Sequence, residues 1–154
     1  MRPLYETDSD LNKESKIARF LEVAWGCSFK KLPIRYALDF ALTVDDTVKA
    51  FCEIKTRNYS MKEIQSMGGY MLSIGKWMAA KQLSEASGLP FVLIVCTTDA
   101  LYQGRFVSFK PDSVSLKGRK DRNDWQDIEP CILLNANQFK RITNGNTFFD
   151  EQKL

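Results

Sequence analysis

The stretch Tyr36-Ala37-Leu38-Asp39-Phe40-Ala41-Leu42-Thr43-Val44-Asp45-Asp46-Thr47-Val48-Lys49-Ala50-Phe51-Cys52-Glu53-Ile54-Lys55 decides the fold. Two alternating runs, Tyr36 to Val44 and Val48 to Lys55, flank the polar triplet Asp45-Asp46-Thr47. Period-two alternation predicts strands, and the triplet predicts a three-residue hairpin loop. That loop pairs Val44 with Val48, Leu42 with Ala50, Phe40 with Cys52 and Leu38 with Ile54, an apolar match on one side. The other side then holds Ala41 opposite Phe51 and Asp39 opposite Glu53, with Lys55 on the same side because side chains alternate.

Directly opposed carboxylates have Cβ atoms ~4.5–5.5 Å apart and repel each other. A divalent cation converts that repulsion into a site: Mg²⁺ takes oxygen ligands, commonly one or two carboxylates with water and phosphate completing the shell. Lys55 beside it could orient or deprotonate an attacking water and offset charge on a phosphate. Two other readings stay open. An acid and a lysine at i and i+2 also suit a solvated strand face, and a one-residue slip would set Asp39 against Cys52 instead.

Working outward, apolar residues at Leu11, Ile17, Ala18, Phe20, Leu21, Ala24 and Trp25 predict a first helix from Ser9 or Asp10 to Trp25, ended by Gly26. Cys27 to Leu32 reads as a short strand, broken by Pro33. Downstream, Ser60-Met61-Lys62-Glu63 is a capping box that opens a short helix, interrupted by Gly68-Gly69. A longer helix is expected from Ser73 to Ser87, stopped by Gly88 and Pro90. The apolar run Phe91 to Thr97 predicts a strand buried on both faces. Gly104 to Phe109 reads as a strand, residues 111–127 as a long polar loop and Cys131 to Leu134 as a last strand. Asn135 with Gln138 marks a short C-terminal helix. The order predicts an α/β fold with helices flanking one central mixed sheet, the third and fourth strands parallel across a helical crossover.

Composition narrows the chemistry. The chain of 154 residues fits one domain spanning 1–154, with 44% apolar and 27% charged residues. No apolar run is long enough for a membrane span and the N-terminus has no signal-peptide character, so a cytoplasmic location is expected. A net charge of +3 permits a nucleic-acid partner without requiring one. Cys27, Cys52, Cys96 and Cys131 form no C-x-x-C pair and read as buried reduced thiols. There is no histidine at all. That excludes Ser-His-Asp and Cys-His nucleophilic sites and His-ligated zinc, and leaves carboxylates, lysine and hard oxygen-bound metals.

The segments Tyr36 to Phe40 and Phe51-Cys52-Glu53-Ile54-Lys55, in this element order, resemble the PD-(D/E)XK nuclease superfamily over residues 9–97. Leu38-Asp39 stands where the family has Pro-Asp, which leaves the carboxylate in place. The resemblance implies a restriction-endonuclease-like αβββαβ core and Mg²⁺-dependent hydrolysis of phosphodiester bonds in DNA, with Mn²⁺ able to substitute. Asp39 and Glu53, with the Ile54 carbonyl, would hold the metal, and Lys55 would assist the water. Members often carry a further acid on the first helix; Glu14, on the stripe Leu11, Glu14, Ala18, Leu21, Trp25, is the candidate, Glu22 lying nearer the polar face. A homo-oligomer, dimer or tetramer, and a phage, resolvase-like or homing-endonuclease-like setting follow on the same ground. The alternative is a nucleic-acid-binding or assembly protein that keeps the fold without catalysis.

Candidate DNA contacts are Arg57, Lys76 near a helix N-terminus, and Lys117, Arg119 and Lys120 in a basic run. Each also suits an ordinary solvated side chain. Gln65 and Tyr70 miss the Q-x-x-x-Y spacing of some branches by one residue, and Gly75-Lys76 lacks the rest of a P-loop. Phe106, Phe109, Phe148 and Phe149 read as core.

Overall fold

The computed structural model describes residues 7–33, 36, 38–105, 111–117 and 129–152. Helix α1 spans Asp8–Trp25, one or two residues earlier than its periodicity suggests, because Thr7 caps it in a box with Asp10. Gly26, at φ 63°, closes it in the left-handed conformation that glycine adopts without strain. Its inward stripe, Glu14, Ile17, Ala18 and Leu21, is buried.

Strands β1 (Ser28–Lys31), β2 (Phe40–Val44) and β3 (Thr47–Thr56) form an antiparallel meander. The predicted register holds at Phe40↔Cys52, Ala41↔Phe51 and Leu42↔Ala50. The loop does not. Val44 pairs with Thr47, leaving a two-residue turn at Asp45 and Asp46 with φ 50° and 59°. Such a turn follows the right-handed twist of its strands, and Asp tolerates the left-handed region. The shorter loop would move every pair by one. A bulge between Leu42 and Thr43, where Thr43 pairs with Val48 and Lys49 is skipped, restores the expected register before the site is reached.

Leu38 is the second correction. The extended run before Phe40 bends instead of pairing, and Leu38 packs in the opposite core cluster from Phe40, Leu42, Cys52 and Ile54. It does not face Ile54. Asp39 accordingly lies just outside the ladder.

Helix α2 (Met61–Ser66) opens on the predicted Ser60–Glu63 box. A strand absent from the sequence reading follows, β4 (Tyr70–Ser73), running straight into α3 (Ile74–Ser87). Strand β5 (Phe91–Cys96) is buried throughout and lies parallel to β3, as the crossover requires. Strand β6 (Leu101–Arg105) pairs with β5 and with the two-residue β9 (Lys140–Arg141). The main sheet thus runs β1-β2-β3-β5-β6-β9 and is mixed.

Residues 111–117 are strand, where a loop was expected: β7 (Pro111–Lys117) pairs with β8 (Glu129–Leu134), which pairs with β4 in a second, three-stranded sheet. Alternating small and apolar residues in Pro111-Asp112-Ser113-Val114-Ser115-Leu116 carry a period-two signal that the polar composition masks. Phe106, Phe109, Arg119 and Lys120 lie outside the described residues. The Asn135 signal makes a single 3-10 turn, Ala136–Gln138, with the Asn135 side chain accepting from the Asn137 N–H; the C-terminal helix is α4 (Gly145–Gln152).

Two apolar clusters cover the main sheet. One joins Ile17, Ala18 and Leu21 of α1 to Phe29, Phe40, Cys52, Ile94 and Phe148. The other joins Ala80 of α3 to Leu38, Tyr70, Leu93, Val95, Ile132 and Leu134. Cys52, Cys96 and Cys131 are buried thiols and Phe148 is core, as expected; Cys27 is only half-buried, and none of the four cysteines is in a disulfide. Among the described residues no helix is long and apolar enough to cross a membrane.

Candidate active site

The β2–β3 ladder ends at Phe40↔Cys52, and the chain before Phe40 turns away. The Ile54 N–H therefore meets no β2 carbonyl in that ladder. Asp39 supplies the acceptor with its side chain: Ile54 N–H donates to Asp39 Oδ2 at 3.3 Å. The Asp39 carbonyl accepts from Leu32 N–H at 2.8 Å, which fixes the backbone from the β1 side. Asp39 is thus a short carboxylate pinned where the sheet frays, beside the C-terminal half of β3.

Glu53 follows from the alternation of β3. Its neighbours of the same parity, Phe51 and Lys55, sit on the α3 side, and its parallel partner is Leu93 in the α3-side core. The carboxylate is fully buried. A buried carboxylate needs charge compensation and hydrogen-bond partners. Two ammonium groups approach one oxygen: Lys55 Nζ and Lys76 Nζ each lie 3.0 Å from Glu53 Oε1. Glu53 Oε2 is buried with no hydrogen-bond partner among the described residues. Lys76 reaches this point because Ser73 both ends β4 and caps α3, its hydroxyl accepting the Lys76 N–H at 3.2 Å.

For Lys55, burial works to lower the pKa, but the Glu53 carboxylate, then Asp39, outweigh it and push the group up to about 12 from 10.5. Lys55 is an ammonium throughout the neutral range in the metal-free protein. Its folded pKa lies above its unfolded one, so the stability it contributes is complete below about 10.5 and is lost as pH rises towards about 12. Urea melts in EDTA are expected to show a wild-type advantage over Lys55→Met at pH 9 that shrinks across that window; a difference independent of pH would refute this.

On the α1 face, Glu14 Oε1 accepts from Lys31 Nζ at 2.7 Å, and the same ammonium lies 3.8 Å from Asp39 Oδ1. It also sits 5.0 Å over the Phe40 ring, its cross-strand neighbour. Lys31 is the residue that sequence reading missed. A signal was there: Phe29 points into the core, so Lys31, of the same parity, shares its side of β1 and is exposed only because the strand ends there.

The structure therefore brings together Asp39, Glu53, Lys55, Glu14 and Lys76 of the expected residues. Arg57 is engaged differently: its guanidinium donates to the Thr56 carbonyl at 2.9 Å and to Tyr70 Oη at 3.1 Å, lying over the Tyr70 ring. Gln65 accepts from the Ala136 N–H at 2.7 Å, tying α2 to the 3-10 turn. Glu22 accepts from the Phe29 N–H at 2.8 Å and pairs with Arg19, away from the site. Lys117 closes β7.

The residues fit a cation. The Asp39 carboxylate and the partnerless buried Oε2 of Glu53 are hard-oxygen donors of the kind that Mg²⁺ takes, with water and phosphate completing its shell. Among the described residues no group of three or more His, Cys, Asp or Glu side chains is placed to hold a metal by itself.

Comparison with known proteins agrees with this architecture. The Holliday junction resolvase Hjc of the archaeal hyperthermophile Archaeoglobus fulgidus superposes with a TM-score of 0.54 at 12% identity, covering 86% of this chain and 93% of that one. At that identity the likeness is one of fold. No curated protein matches the chain. The profile of the family described as "Phage putative PDDEXK endonuclease" matches residues 1–142, and the chain belongs to that family.

Proposed function

We propose that this protein is a metal-dependent endonuclease that hydrolyses phosphodiester bonds in DNA, with residues 1–154 as one nuclease unit. The observation that carries the reading is Glu53: a fully buried carboxylate with one oxygen between two lysines and the other lacking a hydrogen-bond partner, beside a pinned Asp39. Family membership supports the endonuclease class. In this reading Asp39 and Glu53, with the Ile54 carbonyl, hold Mg²⁺, and Mn²⁺ substitutes. When bound, the cation supplies Lewis-acid polarisation of the phosphodiester and favours deprotonation of the attacking water.

The protein's own residues do the positioning. Asp39 is held by the Ile54 N–H, so its free lone pairs point where the strand frays. Lys55, an ammonium, orients the water and offsets charge growing on the phosphate. Lys76, in the first turn of α3, offers a second cation to the phosphate, aided by the positive end of the helix. Glu14 holds Lys31 in place from the other face. Lys117, Arg119 and Lys120 are proposed to follow the DNA backbone, and Arg57 to contact it only after leaving Tyr70. A homo-oligomer of two or four chains is part of the proposal, readable by sedimentation.

The test uses supercoiled, linear and branched DNA with Mg²⁺, Mn²⁺ or EDTA. Metal-dependent cleavage is expected, lost in Glu53→Gln and strongly reduced in Lys55→Met. Binding without cleavage under every metal would favour a nucleic-acid-binding protein that kept the fold.

A further inference from the structure

We propose that the Lys31 ammonium is a built-in substitute for a second cation, so that the site takes a single divalent cation, on Asp39 and Glu53. The inference rests on the metal-dependent reading above and deepens it.

Glu14 and Asp39 share Lys31, while Glu53 lies against Lys55 and Lys76. Its nitrogen lies 2.7 Å from Glu14 Oε1 and 3.8 Å from Asp39 Oδ1, a position between two acids from different elements. That is where a cation bridging the first helix and the frayed strand would sit. The ammonium is held on a third side by the Phe40 ring at 5.0 Å, across the β1–β2 pair Lys31↔Phe40. Strand parity sets its stem on the side of β1 that Phe29 anchors in the core, with 45% of the side chain open to solvent. A cation on a strand-borne stem cannot dissociate, whereas a divalent ion must be recruited from solution. Glu53 points to the α3 side of β3, against Lys55 and Lys76; its buried, partnerless Oε2 is the donor that remains for an incoming ion.

Electrostatics point the same way. A second divalent ion beside Lys31 would have to enter against an ammonium already touching its ligands.

The test counts ions without reference to activity. Mn²⁺ titration of the DNA-free protein, followed by electron paramagnetic resonance of the free ion, is expected to give one bound ion for wild type and for Lys31→Arg. Lys31→Met is expected to give two, and Lys31→Met combined with Glu14→Gln to return to one. Circular dichroism checks the fold of each variant. Where Lys31→Met does not fold, Glu14→Gln alone carries the test: it keeps one ion, because Glu14 is not a ligand of the ion on Asp39 and Glu53. Loss of that ion overturns the proposal, as does one ion on folded Lys31→Met. Two ions on wild type overturn it while leaving metal dependence intact. No ion on any of the proteins overturns both.

Discussion

Glu53→Gln is expected to lower Mg²⁺-dependent cleavage by about three decades, equivalent to ~4 kcal/mol of transition-state stabilisation. The substitution keeps shape and removes charge at a group with no solvent exposure. It therefore isolates the carboxylate as ligand. A stability effect accompanies it, since Lys55 and Lys76 each lose an anion at 3.0 Å. Breaking a buried pair commonly costs about 3–5 kcal/mol, because the partner charge stays buried. Here both lysines keep partial access to water, 38% and 24% of the side chain, and can turn outward. The loss in EDTA should then fall below that range, near ~2 kcal/mol. Ligand linkage separates the two effects. A cation at a hundredfold excess over its Kd stabilises the folded state by about 2.7 kcal/mol, so Mg²⁺ should raise the wild-type melting temperature and leave Glu53→Gln unmoved. Cleavage within tenfold of wild type, or an undiminished Mg²⁺ shift, sinks the assignment. Asp39→Asn should be milder, because an amide oxygen can still accept the Ile54 N–H.

How much of this was legible beforehand depends on which force fixed each feature. The Phe40, Leu42, Ala50 and Cys52 register was readable because burial of one face specifies it strongly. It survived a wrong loop length only because a bulge absorbed the extra residue, and nothing in Thr43 or Lys49 announces that bulge. Asp39 and Glu53 were expected as a cross-strand pair. That pairing does not form: Asp39 has left the ladder and reaches back to β3 with its carboxylate, on the Ile54 N–H next to Glu53 in sequence. Leu38 went to the wrong core for the same reason, since alternation carries no information about where a strand stops. Strand β4 was hidden by its shortness and by its direct passage into α3. Lys76 was visible only as a cation near a helix start. Its pairing with Glu53 depends on β4 delivering that helix to the site, a long-range contact that local pattern cannot supply.

That delivery makes Gly69→Ala the largest stability effect expected outside the site, about 4 kcal/mol from two terms added. Gly69 has φ +115°, where a Cβ costs about 1–3 kcal/mol. A Cβ there would also lie 2.5 Å from the Leu134 carbonyl oxygen and 3.1 Å from its carbon. Those are backbone atoms of β8, paired to β4 through Tyr70↔Leu134, so they cannot swing aside as a side-chain tip could; overpacking of this kind costs about 1–3 kcal/mol more. Gly68 is the internal control. Its φ is +106°, but its Cβ would meet only Leu133 Cδ1 at 3.9 Å, an ordinary contact. Gly68→Ala should therefore lose the backbone term alone, about 1–3 kcal/mol. Urea unfolding of both variants gives the steric term by difference; equal losses within error sink the argument. Function should follow the same asymmetry. Pushing β4 from β8 shifts Ser73, hence the Lys76 N–H that it caps and the ammonium on Glu53, together with Tyr70, on which Arg57 lies. Gly69→Ala should lose more cleavage than its unfolded fraction explains, and Gly68→Ala should not. The glycine pair that reads in sequence as a simple helix stop thus contains one residue needed for its φ and one needed also for its missing side chain, and only the second reaches the active site.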